Sequence, residues 1–119
     1  MQQELPRLNV SSEEGVTIVE LTDRKILDEL SISQIGERLQ GLIAKEDDPK
    51  FVLDFRNVGH MSSSALGMLI TLHKRIREKN GQLRLAGIQP PIYEVFAITR
   101  LNEIFQICGS REEAISTLN

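Results

Sequence analysis

Three consecutive alcohols, Ser62, Ser63 and Ser64, follow His60 and Met61 and precede Ala65, Leu69, Leu72 and Ile76, which recur at helical spacing. That order places the serines at the start of a helix. A helix start leaves four backbone N–H groups without intrahelical partners and carries about half a positive charge from the macrodipole. One Ser there can cap the helix by accepting a hydrogen bond from an N–H two or three residues on. Three exceed the need for one cap. A spare, exposed hydroxyl at such a place is suited to accept a phosphate, whose charge of about −1.5 to −2 the helix start tolerates well. The modified chain need not unfold. The phosphate can act instead on a docked partner, by bulk, repulsion and the cost of burying an unpaired charge.

Other groups that could do chemistry are sparse. Ser and His together raise a hydrolase, but His60 precedes the serines by only two to four positions and no Gly-x-Ser-x-Gly elbow is present. No acid can be assigned to orient the imidazole, and catalysis is not expected. His60 and His73 lack the spacing of a zinc site, and His73 reads as a helix-flank residue. Asp54 lies at the end of the apolar run Phe51–Phe55, where a carboxylate must be hydrogen-bonded. Two readings stand: it ties down the following loop, or it shapes the Ser63 surface. The single Cys108 excludes an intrachain disulfide and a Cys-based cluster, and reads as a half-buried thiol. Lys74, Arg75, Arg77 and Lys79 read as a wet helix face, with docking of an acidic partner as the sharper alternative.

The elements that must position these residues follow from punctuation and period. Leu5–Val10 reads as a first strand, residues 11–15 as a turn and Val16–Leu21 as a second strand, the short gap implying an antiparallel hairpin. Ile32, Ile35, Leu39, Leu42 and Ile43 share one face of a helix, ended by Asp47-Asp48-Pro49. Phe51–Phe55 reads as a strand buried on both faces. The serine-capped helix follows, stopped by Asn80-Gly81 with Gly81 in the left-handed conformation. Leu83–Ala86 is a strand, Pro90-Pro91 opens a third helix, Ile104–Cys108 is the last strand, and Ser110 with Glu113 forms the capping box of a final helix. The order β-β-α-β-α-β-α-β-α predicts an α/β fold: a mixed, mostly parallel sheet of about five strands, with one hairpin edge, packed with about four helices.

The 119 residues fit a single domain spanning 1–119, which buries roughly 65% of its unfolded surface. A net charge of −3 argues against direct nucleic-acid binding. No run approaches the roughly 18 apolar residues of a membrane helix, and Met1-Gln2-Gln3-Glu4 lacks a signal-peptide pattern, so a cytoplasmic location without membrane insertion is expected.

The stretch from Phe51 to Leu69 resembles the signature of the STAS domains, the family of anti-sigma-factor antagonists. That family typically reads apolar strand, Asp, short linker, then Met-Asp-Ser-Ser-Gly-Leu-Gly. Here Asp54 ends the strand, and the signature stands as Met61-Ser62-Ser63-Ser64-Ala65-Leu66-Gly67. Leu27-Asp28 resembles the Leu-Asp pair that follows the family's second strand. The resemblance implies that Ser63 is the phosphoacceptor, with Ser62 and Ser64 as alternates, and that Asp28, Met61, Ser62, Ser63, Ser64, Leu66 and Gly67 contact the partner. It implies an anti-anti-sigma factor: unphosphorylated, it binds an anti-sigma factor that is a Ser kinase with a histidine-kinase-like ATPase fold, and a metal-dependent Ser/Thr phosphatase resets it. ATP, metal and catalysis then belong to the partners, and the chain itself calls for no cofactor. Ser62 stands in place of the usual Asp, removing a charge a kinase could recognise, and Ala65 in place of Gly adds a methyl near the hydroxyl. Both changes also suit a rival within the family: a non-phosphorylated scaffold of a stress-signalling assembly, or a partner of a lipid-transport ATPase.

Overall fold

The computed structural model describes residues 8–118. β1 (Leu8–Glu13) and β2 (Val16–Leu21) form an antiparallel hairpin. Its turn is Glu14-Gly15 alone, both with positive φ (55° and 82°), the two-residue geometry whose twist matches the strands it joins. The expected turn over 11–15 is therefore too long: Ser11, Ser12 and Glu13 pair with Ile18, Thr17 and Val16. They are polar because this edge strand faces water. The part of the expected first strand before Leu8 lies outside the described residues.

Next come β3 (Lys25–Ile26), α1 (Glu29–Ala44), β4 (Lys50–Asp54), β5 (His60–Met61), α2 (Ser63–Glu78), β6 (Gln82–Ala86), α3 (Pro90–Ile98), a 3-10 turn (Leu101–Glu103), β7 (Gln106–Cys108) and α4 (Arg111–Ser116). The main sheet runs β1-β2-β4-β6-β7, parallel except at the hairpin. β4 is covered on both sides, as its apolar run predicts. Phe51, Leu53 and Phe55 join the large core with α1, α2 and α3, while Val52 joins a smaller core with Ala114, Ile115 and Leu118 around α4. In α1 the stripe Ile32, Ile35, Leu39 and Ile43 is buried. Among the described residues no helix is long and apolar enough to cross a membrane.

Several local devices differ from expectation. Asn80, not Gly81, takes the left-handed conformation after α2 (φ 60°). Gly81 serves close approach: a Cβ there would lie 2.3 Å from the Pro49 carbonyl oxygen. Lys79 is not simply a wet charge. Its Nζ donates to the carbonyls of Ile43 and Ala44 at 3.1 Å each, capping the negative end of α1. The last strand starts at Gln106, because Phe105 is drawn into the core. In the capping box Ser110 accepts from the Glu113 N–H, while Glu113 reaches back to the Gly109 N–H.

Asp54 is 3% exposed and sits at the carboxyl end of β4. Its Oδ1 accepts from the Arg56 N–H at 3.0 Å, and its Oδ2 accepts from Arg111 Nη2 at 2.9 Å and Nε at 3.1 Å. Arg56 Nε lies 3.3 Å from the same carboxylate, and Glu20 pairs with both arginines. Gly87, at φ 68°, lies so close that a Cβ would sit 2.9 Å from Oδ1. The carboxylate thus ties down the start of the 56–59 loop and anchors α4 to the sheet, in keeping with the strand-end reading. It takes its partners from Arg56 and Arg111, and no hydrogen bond runs from it to the serines among the described residues.

His73 is half-buried, with its ring edge-on to Phe105 at a centroid distance of 5.3 Å. Burial, with Arg77 nearby, holds its pKa below the ordinary value. The folded state therefore binds the proton less well than the unfolded chain, and stability rises with pH across the interval between the folded value and 6.5. Urea unfolding should show stability falling as pH drops below 6.5, with that slope reduced in His73→Phe; an unchanged slope contradicts the assignment. Arg111→Ala leaves Asp54 buried beside Arg56 alone and should cost about 2–3 kcal/mol, below the usual loss for a broken buried pair because one cation remains. A loss within error of zero in the same assay contradicts the anchoring role.

Candidate phosphoacceptor site at the start of the second long helix

Two short strands set the site. β3 and β5 form a separate parallel ladder in which Lys25 pairs with His60 and Ile26 with Met61. Around it the Gly59 and His60 N–H groups donate to the Arg24 carbonyl, and the Ser62 N–H donates to the Ile26 carbonyl at 3.1 Å. Ile26 is fully buried beneath. The ladder brings the chain segments entering α1 and α2 side by side in register. Sequence reading leaves Lys25–Ile26 unassigned and places His60–Met61 in a loop, because a two-residue strand carries no period to detect.

Each long helix then starts on its own cap. Asp28 accepts from the Ser31 N–H at 2.9 Å at the head of α1. Ser62 accepts from the Ala65 N–H at 3.2 Å at the head of α2. Ser64 donates from Oγ to Glu29 Oε2 at 2.9 Å, joining the two helix starts. Ser63 is the first residue of α2 and is exposed. Among the described residues no hydrogen bond engages its hydroxyl. Of three adjacent alcohols, one is a cap, one is held by a carboxylate across the groove, and one faces solvent.

The other residues singled out from the sequence divide between surface and core. Gly67 is exposed, one helical turn beyond Ser63 and Ser64, and Met61 is half-buried against the main core. Leu66, expected on the contact surface, is only 8% exposed. It lies on the flank of the buried face formed by Ala65, Leu69 and Leu72 and packs against the core. Ala65 is fully buried. Its methyl therefore packs inward and leaves the Ser63 hydroxyl uncrowded, contrary to the expectation from a Gly-to-Ala change. His60 is exposed, and among the described residues no hydrogen bond joins it to the serines. His73 lies on a different face, against Phe105. No group of three or more His, Cys, Asp or Glu suited to a metal occurs among the described residues. Cys108 is half-buried, its pKa raised by burial and then by Glu113.

Two exposed apolar side chains flank the start of α1. Leu27 is 48% exposed and Leu30 is 68% exposed, on either side of Asp28 and Glu29. The signal for Leu30 is present in the sequence. It lies two residues before Ile32, about 200° around the helix from it, and so falls outside the buried stripe.

Comparison with known proteins agrees with this geometry. The STAS domain family matches residues 7–114. An anti-sigma F factor antagonist of Paenibacillus polymyxa is 24% identical over 112 residues, 94% of either chain. A STAS-domain containing protein of Pseudomonas aeruginosa is 36% identical over 58 residues, 49% of this chain and 57% of that relative, so the match spans little more than half its length. The solved structure of an anti-sigma-factor antagonist (STAS) domain protein from Planctomyces limnophilus superposes with a TM-score of 0.86 at 22% identity, covering 98% of this chain and all of that one. With the family match spanning nearly all of the described residues, the chain belongs to the STAS domain family.

Proposed function

We propose that this chain is an anti-sigma-factor antagonist that works by partner switching, with Ser63 as the phosphoacceptor. Unphosphorylated, it docks on an anti-sigma factor that is also a Ser kinase with a histidine-kinase-like ATPase fold, and the sigma factor is released. The kinase then modifies Ser63. The Ser63 oxygen attacks the terminal phosphorus of ATP, the bond to the bridging oxygen breaks, ADP leaves with the electron pair, and the hydroxyl proton passes to a base of the kinase. A metal-dependent phosphatase reverses the ester by hydrolysis.

The observation that carries this reading is the state of the three hydroxyls. Ser63 is exposed and unengaged among the described residues, at the positive end of a sixteen-residue helix, while Ser62 and Ser64 are both hydrogen-bonded. A phosphate there is favourable for its own helix. Buried against a docked protein without a counter-charge it costs several kcal/mol, and each 1.4 kcal/mol is about a tenfold loss of affinity. Leu27 and Leu30, exposed at the start of α1, offer apolar side chains of the kind that anchors a small interface. The name of the Paenibacillus relative supports the same role.

Peptide mapping of the protein isolated from its native host is expected to find phosphate on Ser63. No phosphate on residues 62–64 under any growth condition points instead to the scaffold role, in a stress-signalling assembly or with a lipid-transport ATPase. With the purified kinase partner, Ser63→Ala should bind like the wild type, and the Ser63 phosphoprotein should bind at least about a hundredfold more weakly. Equal affinity of the two forms contradicts the switch. Leu30→Ala should weaken binding by about tenfold with an unchanged melting temperature, since the side chain is mostly exposed; unchanged affinity removes Leu30 from the interface.

A further inference from the structure

We infer that Glu29 is the residue that selects Ser63 over Ser64, by holding the Ser64 hydroxyl out of the reaction. This rests on the reading of Ser63 as a phosphoacceptor and names how the choice among three neighbours is made.

Ser63 and Ser64 are chemically identical and adjacent at the head of α2, separated by about 100° of helix rotation. A kinase that reaches one can nearly reach the other. Ser62 is spent differently: its oxygen accepts the Ala65 N–H, and modifying it requires breaking the cap of α2. Ser64 has one proton to donate, and it goes to Glu29 Oε2 at 2.9 Å. A hydrogen bond to an ionised carboxylate is stronger than one between neutral groups, so it fixes the hydroxyl toward α1. The same carboxylate repels an incoming terminal phosphate, and a phosphate on Ser64 would rest against it. No hydrogen bond ties the Ser63 hydroxyl to that carboxylate among the described residues, so it is not held in this way.

Glu29 is placed for this by the fold. It is the first residue of α1, just after the Asp28 cap, and the β3–β5 ladder sets the start of α1 beside the start of α2. As the acidic residue in the first turn of α1 it also complements the macrodipole, so its removal is expected to weaken the helix slightly. The test must therefore read site choice and not stability alone. Glu29 is a positioning residue: it acts on the reaction through Ser64.

The experiment replaces the chain in its native host with wild type, Glu29→Ala or Glu29→Gln, isolates each protein and measures the ratio of Ser64 to Ser63 phosphopeptides by fragmentation mass spectrometry. Glu29→Ala should raise that ratio by about threefold, the effect expected for loss of a solvent-exposed hydrogen bond to a charged group. Glu29→Gln keeps an oxygen that can accept from Ser64 but loses the charge, and should give a ratio between those of the wild type and Glu29→Ala. Thermal melting of all three proteins establishes that they are folded. Phosphate on Ser63 with a ratio unmoved by Glu29→Ala overturns the role of Glu29 and leaves the switch standing. A glutamine variant that behaves like alanine also overturns the hydrogen-bond account. A wild-type protein with no phosphate on residues 62–64 overturns the switch, and this inference with it.

Discussion

Two residue pairs hold the functional surface together. Lys25 with His60 and Ile26 with Met61 form a separate two-stranded sheet of only two pairs, yet it sets where both long helices begin. The chain entering α1 and the chain entering α2 run parallel and in register. Asp28 then lies two residues past Ile26 and Ser62 one residue past Met61, each capping its helix. Two positive helix ends are thereby placed side by side at one surface. The positions of Ser63, Ser64, Glu29 and Leu30 at the two helix starts follow from that placement. The fully buried Ile26 fixes the ladder to the core, so the site rests on packing rather than on a mobile loop.

On the far side of β4, Asp54 performs a related task. An acid in an apolar strand is tolerable because two arginines and a backbone N–H satisfy it. It stabilises the turn that leads to β5 and fastens α4 to the sheet. It is structural to the site, one step removed from it. The surface thus has a rigid base on both sides, which suits a switch in which charge alone is changed while the backbone stays as it is.

Much of this is legible in the amino-acid sequence. Val16–Leu21 was delimited by its β-branched run, and the buried stripes of α1 and α2 by their period. Ser110 and Glu113 announced the last helix. What was hidden has physical reasons. A ladder of two residues has no periodicity, so β3 and β5 could not be seen. The polar stretch Ser11–Glu13 looked like a turn because an edge strand facing water needs no apolar side. Leu66 was carried to the surface by its membership of a motif, although its angular position on α2 turns it to the core. Gly81 was assigned the left-handed role that Asn80 takes, since contact with Pro49 comes from tertiary packing alone. The Ser64–Glu29 bond spans thirty-five positions, and no local pattern encodes it.

The proposed switch requires that the Ser63 oxygen carry a phosphate without cost to its own fold. It is tested most directly by making the protein with phosphoserine at position 63 and comparing its thermal unfolding with that of the unmodified chain. The account predicts melting temperatures within a few degrees, corresponding to a change below about 1 kcal/mol. A drop on the order of 10 °C or more, or loss of cooperative unfolding, would mean that the phosphate disrupts the packing of the two helix starts, and would contradict it.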